Sequence, residues 1–132
     1  MSLEIYVRES RDVAILDLQG KLTTGEDGKL LSKQLRELIG NGKKKLLLNL
    51  RNLTQIDSSG ISIFARTHVS LKHQGGNLGV LSPSGHVLDV FRVLHLLQMI
   101  PCFEDEAQAV VRFQSLGSLK SSEVPEGATL FA

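Results

Sequence analysis

Apolar and polar residues alternate singly at the start of the chain. Leu3, Ile5 and Val7 are separated by Glu4, Tyr6 and Arg8, and after Glu9-Ser10-Arg11-Asp12 the alternation resumes through Val13, Ile15, Leu16 and Leu18 to Gly20. A period of two belongs to strands with one buried face, so the pattern predicts two strands joined by a tight polar turn, a hairpin. The period then lengthens. Leu31, Leu35, Leu38 and Ile39 recur at helical spacing, behind Thr23-Thr24-Gly25-Glu26, which fits a capping box, and ahead of Gly40-Asn41-Gly42, which stops the run.

Lys43-Lys44-Lys45 leads into Leu46-Leu47-Leu48-Asn49-Leu50, a short and nearly continuous apolar run. Such a run suits a central strand covered on both faces. Gln55-Ile56-Asp57-Ser58-Ser59-Gly60-Ile61-Ser62 follows, and then Ile61, Phe64, Ala65, His68 and Leu71 predict one side of a second helix ending at Gly75-Gly76. Leu78 to Leu81 predicts another strand. Ser82-Pro83-Ser84-Gly85 starts a third helix with Val87, Val90, Phe91 and Leu94 inward, and Leu96 to Phe103 reads as a short edge strand because Pro101 interrupts it. A last helix begins at Glu104-Asp105-Glu106 and runs through Ala109, Val110 and Phe113, with its acids at the positive N-terminal end. Residues 115–132 lose periodicity and gain Ser, Gly and Glu, which predicts a flexible tail after a domain spanning 1–114.

A hairpin followed by alternating helices and strands implies an α/β layer structure. It should hold a mixed sheet of four to five strands, right-handed crossovers and about four helices packed against the sheet. A chain of 132 residues is one domain in size and can bury roughly two-thirds of its unfolded surface without a staple. Fifteen basic against fourteen acidic residues leave a net charge of +1, so no global field points to nucleic acid or an anionic membrane. The three lysines lack interleaved aromatics and read as a solvated start to their strand. One cysteine, Cys102, cannot form an internal disulfide and reads as a small core residue, which suits a reducing cytosol. No apolar stretch approaches the ~20 residues of a membrane span, and Met1-Ser2-Leu3-Glu4 lacks the basic-then-apolar order of a signal peptide. A cytoplasmic protein is expected.

Candidate chemistry concentrates in Asp57-Ser58-Ser59-Gly60. A nucleophile elbow has the form G-x-S-x-G, and Ile56 stands where its first glycine should be if Ser58 were the nucleophile. Clustered metal-ligand spacings such as H-E-x-x-H or paired C-x-x-C do not occur, and His68 and His73 are five apart, off a common helix face. Gly75-Gly76-Asn77-Leu78-Gly79 leaves a helix for a strand, the reverse of a dinucleotide loop. No metal, cofactor or catalytic residue is therefore expected. The same segment does suit a helix start, where Asp57 or Ser58 accepts from free N–H groups at about 0.5–2 kcal/mol. Those donors and the helix dipole would also accept an anion, so a phosphate on Ser58 or Ser59 is compatible with the site.

The stretches VAILDLQGKLTT, KKLLLNLRNLTQIDSSGISIF, HQGGNLGVLSPSGHV and FEDEAQAV, in this order and spacing, resemble the STAS family, more narrowly the bacterial anti-sigma factor antagonists, from about Tyr6 to Phe113. The resemblance implies a non-enzymatic protein-binding domain that sequesters an anti-sigma factor, often itself a serine kinase, and so frees a sigma factor for transcription. It implies phosphorylation of Ser58 by that kinase, with Ser59 the second choice, and reversal by a PP2C-type phosphatase. The implied partner-binding residues are Asp57, Ser58, Ser59, Gly60 and Ser62. Asn49 departs from the family, which often has aspartate there. The competing reading is a constitutive scaffold or soluble transport-associated STAS subunit without a phosphorylation cycle, and the oligomeric state is left open between monomer and weak dimer.

Overall fold

The computed structural model describes residues 3–23 and 25–117, with side chains as far as Phe113. Strands β1 (Leu3–Ser10) and β2 (Val13–Leu22) are followed by helix α1 (Glu26–Gly40), strand β3 (Lys45–Ile56) and helix α2 (Ser58–His73). Then come β4 (Asn77–Leu81), α3 (Gly85–Val93), a single 3-10 turn (Leu96–Gln98), β5 (Cys102–Phe103) and α4 (Glu106–Gly117). The strands form one sheet in the order β1-β2-β3-β4-β5, antiparallel between β1 and β2 and parallel elsewhere. Five strands and four helices match the expected architecture.

Alternation along the strands divides the interior in two. Ala14, Leu16 and Leu18 of β2, with Leu46 and Leu48 of β3, face the layer built by Leu31 and Leu35 of α1, Phe64 and Leu71 of α2, and Val87 and Phe91 of α3. Val13, Ile15 and Leu47 face the other way, onto Ala109, Val110 and Phe113 of α4. The continuous apolar run of β3 follows directly, since successive side chains enter opposite cores. Phe113 packs edge-on to Phe103 with ring centroids 5.7 Å apart. Gly79 leaves room for it, because a Cβ there would lie 2.6 Å from Phe113 Cζ.

The hairpin turn is tighter than its residues suggest. Arg11 (φ 49°) and Asp12 (φ 65°) both take left-handed backbone, the combination of a two-residue type I′ turn, without a glycine. Lys45 Nζ lies 3.2 Å from Asp12 Oδ2 and Lys43 Nζ 2.6 Å from Glu9 Oε2, so two of the three lysines brace this turn. The guanidinium of Arg8 joins the hairpin to α4: its Nε donates to Asp17 at 2.7 Å and its Nη1 to Glu106 at 2.8 Å. Arg8 holds both carboxyls below the usual carboxylate range. The acid-rich start of α4 is thus divided between Asp105, which accepts from Ala107 N at 3.0 Å as a cap, and Glu106, which anchors the helix to the sheet.

Several expectations are corrected. Helix α1 begins at Glu26 behind Gly25 (φ 113°), with no side-chain cap bond, so the capping box does not form. Its Glu sits at the first helical position, two residues too early for that motif. In α2 the buried residues are Gly60, Ile63, Phe64, Thr67 and Leu71. Ala65 and His68 are only half-buried, and Thr67 is buried in their place with its Oγ1 donating to Ile63 O at 2.7 Å. Leu94 lies beyond the end of α3 and is exposed. Of the stretch Leu96 to Phe103 only the last two residues form the edge strand, after Pro101. Cys102 is half-buried and its thiol is pushed up, first by burial and then by Glu104. Helix α4 continues to Gly117, past the expected domain end at 114, and the expected tail from 118 onward lies outside the described residues.

His68 gives the fold a pH dependence. Its Nδ1 is buried with no hydrogen-bond partner, and burial, then Lys72, lowers the imidazole below its ordinary value. Above about pH 6.5 neither folded nor unfolded chain is protonated there, so nothing is gained or lost. Below it the unfolded chain takes the proton first and stability falls. Thermal melts at pH 7.5 and 5.5 should therefore show a drop that His68→Gln reduces. The acids paired with Arg8 act lower, contributing above about pH 4 and fading below it.

Candidate functional site

The parallel strand β3 delivers its chain to α2 across a single residue, Asp57. That residue is extended (φ −115°, ψ −174°), its N–H donates to Leu22 O of β2 at 3.2 Å, and its carbonyl accepts from Ile61 N at 3.1 Å. Its carboxylate caps the helix: Oδ1 accepts from Ser59 N at 3.0 Å, Gly60 N at 3.2 Å and Ser59 Oγ at 2.7 Å. Of the two residues expected to cap, Asp57 takes the role.

The neighbouring serines therefore differ. Ser59 is half-buried with its hydroxyl committed to Asp57, whereas Ser58 is the first residue of the helix and is exposed. Gly60 is buried where α2 crosses the ends of β2 and β3. A Cβ at that position would lie 2.8 Å from Ile56 Cγ1 and 2.8 Å from Leu22 Cγ, so the glycine permits this close approach. Ser62, one turn on, is exposed beside Ser58 on the outer face. All five residues singled out in the sequence, Asp57 to Gly60 and Ser62, are brought to one helix end.

Packing adds residues that the motif does not contain. A groove of about 580 Å³ runs between α1 and α2, lined by Gly28, Lys29 and Ser32 from one helix and Ser59, Ser62 and Arg66 from the other. Arg66 follows Ser62 by four residues, and its Nε donates to Ser62 O at 3.3 Å, so helical spacing was a usable signal. Lys29 had none, since only the packing of α1 on α2 brings it here. His86 Nε2 approaches Ile56 O at 3.4 Å, placing an imidazole beside the end of β3.

Asn49 sits at the other side of the sheet from these helices. Its Nδ2 donates to Asp17 Oδ1 at 2.8 Å and its Oδ1 accepts from Arg51 N at 3.2 Å. An aspartate there would set a second carboxylate against Asp17, so the amide suits this neighbour. Among the described residues no group of three or more His, Cys, Asp or Glu side chains is placed to hold a metal, and no described helix is long and apolar enough to cross a membrane.

The STAS domain family model matches residues 4–109, about four-fifths of the chain. The chain belongs to the STAS domain family. This STAS domain is 24% identical over 115 residues to an anti-sigma F factor antagonist of Paenibacillus polymyxa, covering 86% of this chain and 97% of that protein. Its fold is shared with a crystal structure from Thermotoga maritima described as an anti-sigma factor antagonist (TM-score 0.76, 22% identity, 83% of this chain and 94% of that one). It is shared also with the Bacillus cell fate determinant SpoIIAA in its phosphorylated form (TM-score 0.67, 21% identity, 83% and 98%). These structural likenesses establish the fold, and the STAS domain's α2 start is where its own chemistry converges.

Proposed function

We propose that this STAS domain is an anti-sigma factor antagonist: a non-enzymatic, cytoplasmic binding domain that sequesters an anti-sigma factor with serine kinase activity, frees a sigma factor, and is switched off by phosphorylation at Ser58. The observation that carries this reading is the exposure of Ser58 on the first turn of α2 beside a Ser59 whose hydroxyl is already bound to Asp57. A phosphate on Ser59 would break that bond and stand against the Asp57 carboxylate. On Ser58 it would add about −1.5 to −2 charge at the positive end of the helix, gaining roughly 0.3–1 kcal/mol from the dipole, without disturbing the cap. The phosphate then acts on the partner, by bulk and charge, rather than on the fold. Asp57, Ser59 and Ser62 complete the contact, buried Gly60 serves it by holding α2 against the strand ends, and a PP2C-type phosphatase would restore the binding form.

Incubation with the cognate kinase and ATP, followed by mass spectrometry, should add one phosphate at Ser58. Ser58→Ala should take none, and Ser58→Asp should weaken the complex tenfold or more, about 1.4 kcal/mol. Transfer to Ser59 in Ser58→Ala would refute the site. Absence of any kinase partner in affinity capture from the native cell, with transport proteins recovered instead, would refute the function and favour the constitutive scaffold.

A further inference from the structure

We infer that the outer edge of β1, unpaired among the described residues, pairs antiparallel with the same strand of a second copy, with Tyr6 facing Tyr6 of that copy, to form a weak two-fold dimer with a continuous ten-stranded sheet. The sheet's two edges differ in protection. At one end β5 has only two residues, and Pro101 before it turns its carbonyl inward to accept from Val80 N at 2.9 Å, so that edge offers little length for a further strand. At the other, β1 has eight residues with no proline, and its register with β2 is unbroken from Leu3↔Gly20 to Ser10↔Val13. Tyr6 and Val7 on this edge are 51% and 42% exposed, among the few large apolar side chains left in solvent.

The backbone fixes which residues can pair. A two-residue turn makes Ser10↔Val13 a hydrogen-bonded pair, and alternation along the antiparallel ladder then commits Arg8, Tyr6 and Glu4 to β2 as well. The N–H and C=O groups of Leu3, Ile5, Val7 and Glu9 point outward. Self-pairing must therefore bring odd positions together in hydrogen-bonded pairs, which leaves few registers. Centring the two-fold on Tyr6 matches Ile5 with Val7 of the second copy on the face shared with α1 to α3, and Leu3 with Glu9 at the ends. On the other face Tyr6 meets Tyr6 in a non-hydrogen-bonded pair, where side chains come closest. There too Glu4 meets Arg8, so charges that would blunt the edge in another register become opposite in sign. A register shifted by two toward the turn would oppose Ile5 to Glu9, and one shifted the other way would leave Arg8 without Glu4. Arg8 is shared with Asp17 and Glu106, so the apolar pairs and the ladder carry most of the contact.

One strand pair is a small contact beside the roughly 1,200–2,000 Å² of a stable complex, so the dimer forms weakly. The β3 end that carries Ser58 stands two strands away, roughly 10 Å across the sheet, and stays open in both copies. Sedimentation of the full chain over roughly 10 μM to 1 mM should show a monomer–dimer equilibrium. Val7→Lys, at a position 42% exposed where the lysine head can reach solvent, should leave the monomer folded with little change in melting temperature and abolish the dimer, and Glu4→Arg should weaken it several-fold. In a Cys102→Ala background under a mild oxidant, Tyr6→Cys should cross-link to itself and Glu4→Cys should not. A chain monomeric at the highest concentration overturns the inference, as does a dimer that Val7→Lys leaves intact or that cross-links through Glu4→Cys in preference to Tyr6→Cys.

Discussion

Phe113→Ala should cost about 3–5 kcal/mol, the range for truncating a fully buried phenylalanine. Phe113 is wholly buried and is the largest fully buried side chain of the smaller core, in which the described residues besides it are Val13, Ile15, Leu47, Leu81, Ala109 and Val110, with half-buried Phe103 packed against them. So few neighbours cannot close over the space left by a ring. Gly79 and Phe103 would lose their shared contact, and α4 would remain attached through Ala109 and Val110 and the Arg8–Glu106 pair. Against a total stability of about 5–15 kcal/mol this loss is large. Urea denaturation followed by circular dichroism measures it. Amide exchange should show α4 opening before the α1 to α3 side, and a loss below 1 kcal/mol would mean that α4 contributes little to the fold.

Gly60→Val should destabilise by about 1–3 kcal/mol or more and weaken partner binding at the same time. Two opposing effects meet at this residue. Intrinsic helix propensity favours alanine over glycine by about 1 kcal/mol, so Gly60→Ala on an open helix surface would stabilise. Here the first added carbon falls 2.8 Å from both Ile56 and Leu22, and the alternative to that overlap is a shift of α2 away from the strand ends. Such a shift pulls Ser59 and Gly60 N–H from the Asp57 carboxylate and displaces Ser58 with them. Thermal melts of both variants decide the sign. A Gly60→Ala protein more stable than the parent would show that propensity outweighs packing and that the glycine is not a spacing device.

Local signals explain much of what was legible. The alternation in Leu3–Val7 and Val13–Leu18, the apolar run Leu46–Leu50 and the heptad-like leucines of α1 each report burial that repeats along a strand or helix, so their periods survive without knowledge of the partner. The Asp-Ser-Ser-Gly segment was equally readable as a helix start, because capping is a contact between residues two and three apart. Errors arose where a side chain could satisfy itself in more than one way. Thr67 satisfies its hydroxyl on the Ile63 carbonyl of its own helix, so it can sit with Ile63 on the buried face, and Ala65 and His68 lie at the boundary. The Thr-Thr-Gly-Glu sequence was a plausible cap, yet α1 starts two residues later than that cap would set it, at Glu26.

By itself the sequence determined the strand and helix periods, the hairpin and the helix start that carries the two serines, all of them consequences of near-neighbour geometry. Only tertiary structure decided which serine is exposed, since the packing of α2 at Gly60 against Leu22 and Ile56 half-buries Ser59 and leaves Ser58 in solvent. Tertiary packing also brought Lys29 to the groove beside Ser59 and Ser62, Asn49 to Asp17, and Arg8 to Glu106 across 98 residues of chain. Contacts of that kind leave no period to read, because the two partners share nothing along the chain except the fold that joins them.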